Sequence, residues 1–180
     1  IADTACPFDD ARQRYRNPMG PTGLIGRGLL GKWGPNHAAD VMVTRRNTAT
    51  NQYEVLLVVK HVGDSTSCLA YPAGMVEPGA TVHDTLREEL TQEAVHKDAT
   101  VDQLFATCAR GIVYRGHVDD HRNTDEAWME TTAFHFHCSE KIGSKLPLKA
   151  GDDAGQVRWL DVSMASEIYR NLYGAHRALI

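Results

Sequence analysis

Glu89 and Glu93 stand four residues apart in the stretch AYPAGMVEPGATVHDTLREELTQEAV (residues 70–95), with Glu88 and Gln92 beside them. On a helix this spacing puts two carboxylates about 40° apart around the axis and about 6 Å apart along it. Val82, Leu86, Leu90 and Ala94 recur at the same interval and mark the buried stripe of an amphipathic helix. Glu89 and Glu93 fall at the margin of that stripe, whereas Glu88 and Gln92 fall further round, toward solvent. Two like charges at the edge of a core raise one another's pKa unless a cation compensates. Magnesium suits that task, because it takes one or two protein carboxylates, keeps several waters and completes its octahedron with substrate phosphate oxygens. A solvated acidic helix face is the competing reading of the same spacing.

The helix follows a Pro78–Gly79 turn and needs a sheet to pack on. Ala39 to Arg46 and Tyr53 to Val62 are β-branched segments joined by the polar turn Asn47–Asn51, which predicts a hairpin or an adjacent pair. Gly111 to Val118, Thr131 to Cys138 and Gln156 to Val162 read as further strands, and a helical stretch begins at Met164. Strands therefore flank one central and one terminal helix. Residues 1–37, rich in Pro, Gly, Asn and Arg, read as an irregular segment packed on a domain spanning residues 38–180.

The composition suits one globular domain: 180 residues, 42% hydrophobic and 23% charged. A net charge of -4 argues against a non-specific nucleic-acid binder, which needs a basic surface to displace counterions. The four cysteines, Cys6, Cys68, Cys108 and Cys138, are too scattered for a zinc ribbon or a disulfide framework and favour a reducing compartment. The longest aliphatic run, Val55–Val59, is far short of the roughly 20 residues that span a bilayer, so no direct membrane insertion is expected. A first residue of Ile1 reads as a processed chain or a piece of a longer one.

Other stretches carry weaker chemistry. GRGLLG (26–31) matches a dinucleotide fingerprint but is flanked by Asn-Pro, Gly-Pro-Thr-Gly and Trp-Gly-Pro-Asn, so the strand and helix that motif needs are not expected. A glycine-dense loop ending at His37, with backbone amides available to a ligand, is the better functional reading, and a structural turn cluster is the alternative. In VDDHRNTDEAW (118–128) the Asp, Asn and Thr residues favour a loop whose side chains bond its own backbone, and Trp128 reads as core. His135 and His137 share one face of a strand, as an outward polar face or a zinc pair without further ligands.

Residues 74–93 resemble the Nudix box, in which Gly, five residues, Glu, seven residues and Arg-Glu-hydrophobic-x-Glu-Glu build a loop-helix-loop metal site. Gly74 anchors the alignment; Glu89, Leu90 and Glu93 match, while Ala80, Glu88 and Gln92 depart from it. Residues 16–40, 116–133 and 149–162 extend the resemblance to ADP-ribose pyrophosphatases of the mitochondrial type. They equally resemble the homologous C-terminal cytosolic domain of the ADP-ribose-responsive melastatin-type cation channel. The resemblance implies an α/β (α+β) Nudix fold, with a mixed sheet sandwiched between helices. It implies Mg2+, with Mn2+ as a substitute, and cleavage of ADP-ribose to AMP and ribose 5-phosphate. Glu89, Glu93 and Gln92 would then be catalytic, with Glu89 and Glu93 on the metal. His37, Gly74, Met75, Asp120, Arg122, Asp153, Leu172 and His176 would contact ADP-ribose, the last two on its adenosine side. Asp152 or Asp153 would close the site or form a turn. The eroded box implies slow turnover, or a sensor that binds ADP-ribose and barely hydrolyses it. Location follows the parent: the cytosolic face of a tetrameric channel, or a soluble mitochondrial or cytosolic enzyme.

Overall fold

The computed structural model describes residues 6–62, 66–149, 157–162 and 167–179. Its centre is a seven-stranded mixed sheet built on β3 (Gly34–Arg46). β1 (Phe8–Asp9) and β2 (Arg14–Tyr15) form a separate two-residue hairpin. β4 (Tyr53–Val62), β5 (Thr66–Ala70), β6 (Ala73–Met75), β7 (Ala109–His117), β8 (Ala127–Cys138) and β9 (Val157–Asp161) complete the large sheet. The order is β5-β4-β3-β8-β7, with β6 also on β3 and β9 also on β4. β3 and β8 are parallel from Gly34/Ala127 to Arg45/Cys138, and the other pairs are antiparallel.

β3 starts at Gly34, five residues before the predicted Ala39, because the parallel ladder to β8 gives the Gly34–Ala38 backbone partners that its composition does not advertise. β4 has the predicted bounds. The turn between them closes as expected: Asn47 N–H donates to Gln52 O at 2.8 Å, and Asn47 Oδ1 accepts from the N–H of Ala49 at 2.9 Å. Along β4, Leu56 and Val58 enter one apolar cluster while Val55 and Leu57 enter the other, so both faces of this strand are covered.

One face carries α1 (Val82–Glu89), a π turn (Leu90–Ala94), α2 (Ala99–Thr107) and α3 (Glu140–Gly143). Leu86, Leu90 and Ala94 are fully buried there, and Val82 packs alongside. Thr81 caps α1 reciprocally with Asp84. The other face carries the chain end, where Leu172 is buried and Tyr169 and Leu179 pack on the cluster; α4 (Glu167–Arg170) and a 3-10 turn (Gly174–Leu179) lie in this segment.

Two expectations need correction. The sequence periodicity predicts a single central helix, and the structure adds a second, α2. Asp98 caps it through Thr100 and Val101, and Val101, Leu104 and Phe105 fill the helical spacing that would have revealed it. The terminal helical stretch is also shorter than expected among the described residues, two short turns separated near Leu172.

Leu90 opens the π turn in which the helix widens, and its side chain is fully enclosed. Leu90→Ala should lower unfolding stability by about 2–5 kcal/mol in urea titrations with an unchanged m-value.

Candidate functional site

Glu89 is half-buried at the end of α1, with its carboxylate against the backbone of β6. A Cβ built at Gly74 would fall within that carboxylate. Gly74 pairs with Ala39 of β3, so the strand cannot retreat to make room. This glycine is thus required by close approach rather than by a left-handed turn, since its φ is not positive. One turn on, Glu93 Oε2 accepts from Ala73 N–H at 3.1 Å, and Glu93 Oε1 lies 2.8 Å from Lys60 Nζ. Both carboxylates are therefore gathered onto Ala73–Gly74.

The helix reaches Glu93 through a π turn, in which Val95 N–H donates to Leu90 O at 3.0 Å. Each residue of such a turn rotates by less than the about 100° of an α-helix. Glu93 is held there by its bond to Ala73 N–H. Burial, and then the charge of Glu93, push the Glu89 carboxyl above the usual range, against the opposing pull of Lys60.

Lys60 was not singled out from the sequence. A signal existed: Lys60 follows Leu56 and Val58 at period two, so a cation sits in phase with an apolar face. It supplies a positive charge to Glu93 and also donates to Ala73 O at 3.4 Å.

A hard divalent cation fits this donor set. Among the described residues no group of three or more His, Cys, Asp and Glu side chains could hold a metal. Two carboxylates on one helix end accordingly match a cation that keeps waters and recruits phosphate oxygens, as magnesium or manganese does, rather than a closed protein cage. Gln92 stands outside the pair: it is exposed, and its Nε2 donates to Glu88 Oε1 at 2.8 Å.

The register brings His37, Gly74 and Met75 to the same neighbourhood. Met75 faces Ala38 across the β3–β6 ladder, and Val76 N–H donates to His37 O at 2.9 Å. The His37 ring is exposed, with Nδ1 3.7 Å from Glu130 Oε2. Glu130, another residue not anticipated, is held in turn by Trp128 Nε1 at 2.9 Å, and Trp128 is core as expected.

Asp120 and Arg122 face each other. Arg122 Nε and Nη2 donate to the two Asp120 oxygens at 2.7 and 2.8 Å. Burial would raise the Asp120 carboxyl, but the Arg122 hydrogen bonds and charge hold it below its ordinary value. The neighbouring polar residues stitch this loop to the glycine-rich segment. Asn123 Oδ1 accepts from Met129 N–H at 2.8 Å, and Thr124 Oγ1 donates to Gly26 O at 2.6 Å. GRGLLG lies in that loop, with no helix after it.

The adenosine-side expectations fare differently. Leu172 is 2% exposed, drawn into the core by its bridge to Leu69, so its side chain offers no surface to a ligand. His176 has both ring nitrogens engaged: Nε2 lies 3.0 Å from Asp40 Oδ1, and Nδ1 accepts from Tyr71 N–H at 3.2 Å. Asp40 Oδ2 also accepts from the Thr131 hydroxyl. His135 Nε2 and His137 Nδ1 converge on Thr44 Oγ1, at 2.6 and 2.9 Å. Asp152 and Asp153 lie outside the described residues. No described helix is long and apolar enough to cross a membrane.

Residues 3–34 match the family described as NUDT9-like, N-terminal domain. A Caenorhabditis elegans protein named as nudix hydrolase 6 is 45% identical over 163 residues, 90% of this chain and 61% of that protein. The mitochondrial ADP-ribose pyrophosphatase of Rattus norvegicus is 41% identical, over 87% of this chain and 50% of its own length. A Nematostella vectensis transient receptor potential cation channel, subfamily M member-like 2, is 43% identical over 85% of this chain but only 11% of the channel. The chain thus spans half to three-fifths of the two enzyme-named relatives. Among solved structures, the NUDIX domain of Shewanella oneidensis NrtR complexed with ADP ribose superposes with a TM-score of 0.58 at 13% identity. It covers 88% of this chain and 90% of that one, a likeness of fold.

Three outcomes follow from the carboxylate pair. Because the raised Glu89 carboxyl favours its protonated form in the fold, its favourable contribution is present in acid and lost as pH rises past the ordinary carboxylate range. Without divalent cation at pH 7, Glu89→Gln should melt no lower than the parent, and any advantage should vanish below about pH 4. Added Mg2+ should raise the parent's melting temperature and leave that of Glu89→Gln nearly unmoved. Gly74→Ala should fold, yet bind Mg2+ at least about tenfold more weakly by the same thermal assay, since its methyl displaces the Glu89 carboxylate.

Proposed function

The chain belongs to the Nudix family, and on that premise we propose that it binds ADP-ribose beside the α1 carboxylates and hydrolyses it, with Mg2+, to AMP and ribose 5-phosphate. The observation that carries the proposal is the convergence of Glu89 and Glu93 on the Ala73–Gly74 backbone. Support comes also from the extended likeness to a protein named ADP-ribose pyrophosphatase.

Glu89 and Glu93 would hold the cation, with Mn2+ as a substitute. Bound there, it would offset the pyrophosphate charge and lower the pKa of a coordinated water. The residues of the chain do the positioning. Ala73 N–H fixes Glu93, and the missing side chain at Gly74 gives Glu89 its place. Lys60 balances Glu93 before substrate arrives and supplies a mobile cation beside the phosphates afterwards. Overall, the water oxygen joins one phosphorus while the bridging P–O bond breaks, leaving two phosphomonoesters. His37 and Met75, on the strand edges next to Gly74, would line the ligand. Arg122 would meet it through donors not used by Asp120, and His176 through its ring rather than its nitrogens.

Slow turnover is the second reading, favoured by the box itself. Glu88 stands where the family has Arg, and it is exposed and bonded to Gln92. Arg87 does not replace it, being engaged by Asp102 and stacked over the Phe105 ring at 4.7 Å. A domain that binds ADP-ribose and turns it over poorly suits the cytosolic face of a tetrameric channel; an active one suits a mitochondrial or cytosolic enzyme. Sequence of the transcript on both sides of this segment separates the parents, by closely spaced apolar spans of about 20 residues or by their lack.

Product chromatography with millimolar Mg2+ tests the chemistry. AMP should form and chelator should stop it. Glu93→Gln should lower turnover at least about a hundredfold, with Glu88→Gln as the control of small effect. If no AMP forms while calorimetry still detects ADP-ribose binding, the sensor reading stands in place of the enzyme.

A further inference from the structure

Cys108 and Cys138 meet in the core. Cys108 caps the C-terminus of α2, with its N–H on Leu104 O at 3.2 Å, and Cys138 ends β8 opposite Arg45 of β3. Thirty residues separate them in sequence, yet the Cys108 thiol donates to Cys138 Sγ at 3.4 Å. A disulfide bond is about 2.05 Å long, so the sulfurs need to close by little more than 1 Å. The two thiols differ in access: Cys108 is 8% exposed and Cys138 is 1% exposed.

We propose that Cys108 and Cys138 form a reversible oxidation site, in which a hydroperoxide converts the adjacent thiols into an intramolecular disulfide within the folded domain. Cys108, as the more accessible sulfur, attacks the peroxide oxygen: the O–O bond breaks, one water leaves, and Cys108 becomes a sulfenic acid. Cys138 then attacks that sulfur, forming the S–S bond and releasing the second water. In sum, two thiols and one H2O2 give one disulfide and two H2O, the peroxide being reduced and the sulfurs oxidised. Burial raises both thiols above their ordinary pKa, Cys138 further through the neighbouring Cys108 sulfur and against the pull of Arg45. Thiolate is therefore scarce at neutral pH, and the reaction is slow and dependent on excess oxidant.

The bond would tie α2 to the sheet beneath the carboxylate helix. α2 carries Asp102 and Phe105, which hold Arg87, and His83 of α1 also packs edge-on to Phe105 at 5.2 Å. The closed loop would contain all of β7, the Asp120–Arg122 loop and β8. Constraining a loop of this length in the unfolded chain favours the fold.

Differential alkylation of the folded chain tests the proposal. After H2O2 treatment and removal of oxidant, accessible thiols are blocked, the protein is digested without reduction, and fragments are weighed. A Cys108–Cys138 cross-linked fragment about 2 Da lighter than the two thiol peptides together is expected. It should disappear with dithiothreitol, and it should accompany a rise of several degrees in melting temperature that neither Cys108→Ser nor Cys138→Ser shows. The half-buried Cys6 and Cys68 should not enter that fragment. If both buried thiols stay reduced while Cys6 or Cys68 oxidises, or if the linkage forms only in urea, the proposal fails. The parent protein alone decides this should a serine variant not fold.

Discussion

Glu89 occupies its position only because β6 has no side chain at Gly74. The contact couples a helix end to a three-residue strand, and that strand is in turn fixed by its pairing with β3 at Ala38, Ala39 and Asp40. Alanine scanning of the helix alone would miss the dependence, because the required feature is an absence of atoms on the opposite element. The same short strand offers the Ala73 amide to Glu93. Two carboxylates that repel one another are thereby held side by side with one lysine to balance them, and the proposed divalent cation would relieve that repulsion.

The sheet makes this arrangement rigid. β3 and β4 are apolar on both faces, and the helices on one side and the chain end on the other cover them. Charged groups at this double-sided core are answered locally among the described residues: Arg45 meets Glu54, Lys60 meets Glu93, and Asp40 meets His176 and Thr131. A buried charge left unanswered would cost several kcal/mol, so the last two pairs constrain where β6 and the chain end can sit. Tyr71, whose N–H bonds His176, stands two residues before Ala73, so the two networks are linked by a short run of one strand connection.

The glycine-rich N-terminal segment and the 118–126 loop form one unit by hydrogen bonding. Asp125 accepts from the N–H groups of Thr22 and Gly23, Glu126 accepts from Gly26, and Asn17 Nδ2 donates to Thr124 O. The polar residues of this loop thus satisfy backbone on both segments, and within it Arg122 clasps Asp120. Arginine carries five N–H donors, so a bidentate clasp on one aspartate uses only part of its capacity.

Local information settled a good part of this protein. The hairpin turn at Asn47–Asn51, the bounds of β4, the buried stripe of Leu86, Leu90 and Ala94, and the inward lean of Glu89 and Glu93 were all legible, because each rests on a period or a turn propensity within a few residues. α2 was legible too, through Asp98 and the Val101–Leu104–Phe105 spacing, though it was passed over. Tertiary structure alone decided the rest. The early start of β3 depends on a partner strand about 90 residues away, and the burial of Leu172 depends on Leu69. The engagement of His176 by Asp40, of Glu93 by Lys60, and of Cys108 by Cys138 joins residues that no local period connects. The π turn that widens the helix before Glu93 belongs with these, since periodicity assumes the regular helix that the sheet contact overrides.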